Sequence, residues 1–124
     1  MCYDVNNNEE GVLYMSIETV VQQQIEFYNN QDLEGFASTY ADDITVFSFP
    51  DNTITLSGKQ ALIERYKETF KKKMFAEIRN RSIVGNKVID WEIATNGITG
   101  ESTSLMAIYE VNEHLISKVW FIRE

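Results

Sequence analysis

At 124 residues, with 44% apolar and 12% aromatic side chains, the chain is long enough for one folded domain and too short for two independent cores. A formal net charge of −8 argues against a nucleic-acid partner, which draws its affinity from clustered Lys and Arg. The lone Cys2 excludes an internal disulfide, and with His114 the only histidine, a Cys/His metal site or a Cys–His nucleophile is poorly supported; no metal or other cofactor is expected.

Residues 1–15 carry Asn6, Asn7, Asn8, Glu9 and Glu10 and lack both a basic n-region and an apolar h-region. They read as a polar leader, with Met15 before Ser16 a second candidate start, and the domain is expected over residues 16–124. No apolar run approaches the ~20 residues that span a bilayer. A cytoplasmic protein without membrane contact is therefore expected.

From Ser16, a candidate N-cap, Ile17, Val20, Val21, Ile25 and Tyr28 recur at the spacing of one helical face. Asp32 caps a short second helix with Leu33, Phe36, Ala37 and Tyr40 on one side. The β-branched and aromatic run from Ile44 to Phe49, closed by Pro50-Asp51-Asn52 and followed by Thr53 to Leu56, predicts two short strands. Ser57-Gly58-Lys59-Gln60 reads as a capping box opening a third helix through Leu62, Ile63, Tyr66 and Phe70. Lys71, Lys72 and Lys73 follow as its solvated last turn, where positive charge suits the helix dipole. Ala76–Val84, Lys87–Ala94, Thr103–Val111 and Leu115–Ile122 then predict four strands, with Gly85-Asn86 as a two-residue hairpin turn. Helices followed by a long meander describe an α+β domain whose helices cover one face of an antiparallel sheet.

The order of several segments resembles a known superfamily. IEFYNNQDLEGFASTYADDITVFSF at Ile25–Phe49 resembles the opening of nuclear transport factor 2-like domains, and SGKQALIERY at Ser57–Tyr66 is similar to the segment that follows in them. NRSIVGNKVID at Asn80–Asp90 and AIYEVNEHLISKVWFIRE at Ala107–Glu124 are similar to the strand meander of its SnoaL-like, ketosteroid-isomerase-related branch. The resemblance spans roughly residues 16–124. It implies a cone-shaped roll, with a curved sheet wrapped around the N-terminal helices, a cavity between them, and frequent dimerisation. Ketosteroid isomerases work with a carboxylate base and two oxyanion donors, a Tyr and a protonated Asp. Matched through Asp32, those positions hold Gln24 for the Tyr, Ser48 for the base and a residue near Ala107 for the Asp, so the isomerase set is missing. SnoaL-like relatives often carry a His directly after the Asp of this segment, where this chain has Trp91.

Gln24 interrupts the apolar stripe of the first helix. A buried amide needs a partner, either a ligand or a neighbouring strand. Counting outward from Gly85-Asn86 sets Arg81 opposite Asp90 and Arg79 opposite Glu92 on one face, with Ile78, Ile89, Trp91 and Ile93 on the other. The charged face is either solvated or, as the resemblance implies, cavity-lining. In the second case Asp90 and Glu92 become candidate acid–base groups, Arg79 and Arg81 hold them ionised or bind an anion, and the Trp91 row needs a cover, most simply a second copy on the convex face. Tyr28, Tyr66, Tyr109 and Trp120 suit a pocket wall with polar tips, and Lys118 shares a strand face with Trp120. His114 falls in a predicted turn. Two functions fit: a small-molecule-binding protein with isomerase-, cyclase- or hydrolase-type acid–base chemistry, or a noncatalytic dimeric binding or scaffolding module.

Overall fold

The computed structural model describes residues 16–124; the expected leader and Cys2 lie outside the described residues. Helix α1 (Ile17–Asn29) opens on Ser16, whose hydroxyl accepts from the Thr19 amide. Helix α2 (Leu33–Ser38) opens on Asp32, whose carboxylate accepts from the Gly35 amide. Both caps satisfy amide groups that the first turn leaves without partners. Gly35 cannot be replaced without movement, because a Cβ there would run into the Phe27 ring of α1. Tyr40, expected on the second helix, instead begins strand β1 (Tyr40–Ser48), where it pairs with Ile116 and is buried in the core. Pairing with a distant strand overrides local helical periodicity here.

After the short β2 (Ile54–Ser57), helix α3 (Lys59–Lys71) starts at Gly58 with φ 94 and no side-chain cap. The expected capping box does not form, because Ser57 is held as the last residue of β2, paired with Thr45. The rest is β3 (Met74–Val84), β4 (Lys87–Asn96), β5 (Ser102–Asn112) and β6 (Leu115–Arg123). Gly85 at φ 62 closes the β3–β4 hairpin, pairing Val84 with Lys87 as the sequence predicts. Glu113 and His114, both with positive φ, close β5–β6.

The six strands form one curved, unclosed sheet in the order β2-β1-β6-β5-β4-β3. Four neighbouring pairs are antiparallel, but β1 runs parallel to β6. Period-two patterning carries no strand direction, so this pairing was not readable in advance. The helices cover the concave face, where Val20, Val21, Phe36, Ile44, Leu62, Val88, Tyr109 and Val119 form the core. Among the described residues no helix is long and apolar enough to cross a membrane.

Candidate functional site

Strand β4 alternates sharply. Asp90 is 0% exposed and Glu92 5%, while Trp91 between them is 42% exposed. The carboxylates therefore belong to the concave face, packed under α1, and the Trp91 row faces outward. Of the two orientations open to the sequence, the buried one holds.

The two carboxylates have different surroundings. Arg81 stands opposite Asp90 and grips both its oxygens, through Nε at 2.7 Å and Nη2 at 2.9 Å. Its remaining nitrogen donates to Gln22 of α1 at 3.0 Å, with Glu18 3.7 Å away. This two-pronged pairing is the arrangement that best compensates a buried charge. Arg79 does not repeat it. A bulge between Ile78 and Asn80 sets Ile78 opposite Glu92 and leaves Arg79 outside the ladder, exposed, with Glu77 as its ionic neighbour at 3.4 Å. One extra residue reverses the facing of everything beyond it, which hairpin counting cannot register.

Among the described residues, Glu92 consequently has no cation in direct contact. Tyr109, directly across from Val88 on β5, donates its hydroxyl to Glu92 Oε2 at 2.8 Å. Burial pushes the Glu92 carboxyl up to about 7; the Tyr109 hydrogen bond opposes this, Asp90 adds to it, and Arg81 and Arg123 oppose it from a distance. A carboxyl so placed is divided between acid and base near neutrality. Tyr109 itself is raised well above the usual phenol range, first by burial and then by the Glu92 charge, so it serves as a donor.

Glu92 borders a cavity of about 210 Å³ between the sheet and helices α1 and α3. Gln24 and Tyr28 reach it from α1, Arg65 and Tyr66 from α3, and Leu105, Tyr109, Phe121 and Arg123 from β5 and β6. Gln24 is 4% exposed, and its Oε1 is buried with no hydrogen-bond partner among the described residues. Burial raises the phenols of Tyr28, Tyr40 and Tyr66, so all three remain neutral.

Gln24, Tyr28, Tyr66, Glu92 and Tyr109 are thus brought together, and Asp90 and Arg81 lie beside them as a closed pair. Lys118 and Trp120 are not part of this group. On β6 the inward phase is Val119, Phe121 and Arg123, and the outward phase holds Lys118, exposed, and Trp120, which stacks on Phe47 at 5.1 Å and donates to Asn52. Both phases of β6 carry apolar residues, so alternation alone did not choose between them. Arg65 and Arg123 were missed for a related reason: each is an exposed charged residue, Arg65 on α3 and Arg123 at the end of β6, and reads as solvated until the cavity is seen. Of the positions matched to the isomerase set, Gln24 reaches the cavity, Ala107 pairs with Asp90, and Ser48 bonds Asp51 at the end of β1.

A family model described as a SnoaL-like domain matches residues 21–119. The chain belongs to the SnoaL-like family. Among solved structures it is similar to an uncharacterised cystatin-fold protein from Novosphingobium aromaticivorans, at 26% identity and TM-score 0.78, covering 88% of this chain and 99% of that one. It is also similar to a nuclear transport factor 2-like protein of unknown function from Cytophaga hutchinsonii, at 13% identity, TM-score 0.73 and coverage of 88% and 90%. A computationally designed 17-OHP binder shares the fold at 15% identity and TM-score 0.77, covering 87% of this chain and 90% of that one. No curated protein matches. These likenesses establish the SnoaL-like fold. The chemistry of this member has to be argued from its own cavity, because one fold hosts many functions.

Proposed function

We propose that this SnoaL-like protein binds a small, partly apolar molecule in the cavity between sheet and helices, and that Glu92 exchanges a proton with it. The observation that carries this reading is Glu92 itself, a buried carboxyl at the cavity wall, held by Tyr109 and raised to about 7. Tyr109 occupies one carboxyl oxygen. The other can take a proton from an acidic C–H or O–H of the ligand and return it to a different atom, the cycle that isomerisation and cyclisation share. Asp90 has both oxygens engaged by Arg81, so it anchors the sheet to α1 and leaves proton transfer to Glu92.

The test starts from a ligand co-purified with the protein and identified by mass spectrometry. Glu92→Gln is expected to lower its turnover about a hundredfold or more while changing affinity only a few-fold. Undiminished turnover by a folded Glu92→Gln protein would remove the acid–base role and leave binding alone.

The convex face favours an additional role as a dimer. Trp91 and Met106 are exposed there, directly opposite each other in the ladder, with Ile93 and Ile122 beside them. An apolar patch of this kind marks a contact surface. Sedimentation equilibrium should show a dimer that Trp91→Lys converts to a monomer; a wild-type monomer at high concentration sinks this part.

A further inference from the structure

The cavity is polar at both ends in opposite senses. At the inner end, Gln24 lies among Tyr40, Tyr109 and Glu92. The Tyr109 hydroxyl is committed to Glu92. Among the described residues, Gln24 Oε1 is left as a buried acceptor without a donor. Such groups are rare in folded proteins and call for a partner.

At the outer end stand Arg65 and Arg123, both cavity-lining and both exposed, which places them at the mouth. Each is pinned. Arg65 donates through Nη2 to the Thr55 carbonyl at 2.7 Å, and the Arg123 guanidinium lies 4.8 Å from the centre of the Phe121 ring. The Arg123 charge is felt inside: after burial, which raises the Tyr66 phenol, it is the strongest influence opposing that rise. Two guanidinium groups at one opening stand out in a chain with 19 acidic and 11 basic residues. Between the two ends the wall is Tyr28, Tyr66, Leu105 and Phe121. The volume of about 210 Å³ equals that of roughly seven waters of liquid, enough for a single-ring compound.

Resting on the reading of this cavity as a ligand site, we propose that it selects small carboxylic acids with a hydroxyl or N–H donor at the far end. The donor meets Gln24 Oε1, the apolar body lies against the aromatic wall, and the carboxylate docks on Arg123 and Arg65, whose planar forks match its geometry. This orientation also fixes which part of the molecule faces Glu92: the donor-bearing end. The carboxylate remains at the mouth.

Calorimetry on the full chain with para-hydroxyphenylacetate, phenylacetate and para-cresol separates the parts. Para-hydroxyphenylacetate is expected to bind about tenfold more tightly than either of the others, and the advantage over para-cresol should shrink with added salt. Arg123→Gln, at an exposed position, should abolish the carboxylate advantage, and Gln24→Leu the hydroxyl advantage. Should Gln24→Leu fail to fold, the comparison of para-hydroxyphenylacetate with phenylacetate on the wild-type chain decides that arm. Equal binding of para-cresol and para-hydroxyphenylacetate overturns the anion selection, and equal binding of phenylacetate overturns the donor contact. Both outcomes leave the cavity a binding site. Failure of all three compounds to bind overturns the proposal and the cavity reading together.

Discussion

Asp90 and Glu92 are two residues apart on one strand and one face, both buried, and they meet different partners. Asp90 is closed in by a two-pronged arginine that also ties down α1, whereas Glu92 has one phenol, a cavity at its side and no arginine in contact. The difference comes from a backbone irregularity in the neighbouring strand. With regular pairing, Arg79 would face Glu92 as Arg81 faces Asp90, and both carboxylates would be neutralised. The bulge at Arg79 removes that second cation and leaves Glu92 to be governed by burial. One half of the inner face is thereby built for anchoring and the other for titration near neutral pH.

The sharpest way to break this contrast is to remove the anchor. Arg81→Met leaves Asp90 buried without its partner and is expected to cost about 3–5 kcal/mol in urea unfolding. A cost under about 1 kcal/mol would show that the Arg81–Asp90 pair is not what anchors this face.

The next effect is the pH dependence of Glu92. Its carboxyl titrates at about 7 folded and at an ordinary value near 4.5 unfolded, so the folded chain holds more protons between these limits. The contribution of Glu92 to stability is complete below pH 4.5, declines as pH rises, and is lost above about pH 7. Glu92→Gln escapes this decline. Its stability relative to the wild type should grow across that window by up to about 3 kcal/mol, then level off. A difference that stays flat with pH would mean Glu92 titrates as an exposed carboxylate does.

The smallest effect tests the bulge. Arg79→Ala, on the same strand and two residues from Arg81, should change stability by no more than about 0.5 kcal/mol. A loss approaching that of Arg81→Met would place Arg79 back in the ladder beside Glu92.

Much of this molecule was legible in the chain. Ser16 and Asp32 act as the caps their chemistry suggests, Gly85-Asn86 sets the hairpin, and that hairpin brings Arg81 to Asp90. The family resemblance, carried by the order of weak motifs, led to the right fold. Gln24, Tyr28, Tyr66, Glu92 and Tyr109 are legible in the chain as candidates, and all five line the cavity. Ser57, Arg79, Lys118 and Trp120 lie elsewhere than the local pattern suggests: β2 runs one residue beyond its signal and takes in Ser57, a bulge takes Arg79 out of the ladder, and β6 turns Val119 and Phe121 inward although Trp120 and Ile122 are apolar too.

The sequence by itself determined the helices, the strands, the hairpin register near its turn and the residue types available for chemistry, because these follow from interactions among residues close along the chain. Only the tertiary structure decided which sheet face turns inward, where the ladder slips, which strand runs parallel, and which arginines reach the cavity mouth. These depend on contacts between segments distant in sequence. A single inserted residue or a change of strand phase alters them without changing the local pattern.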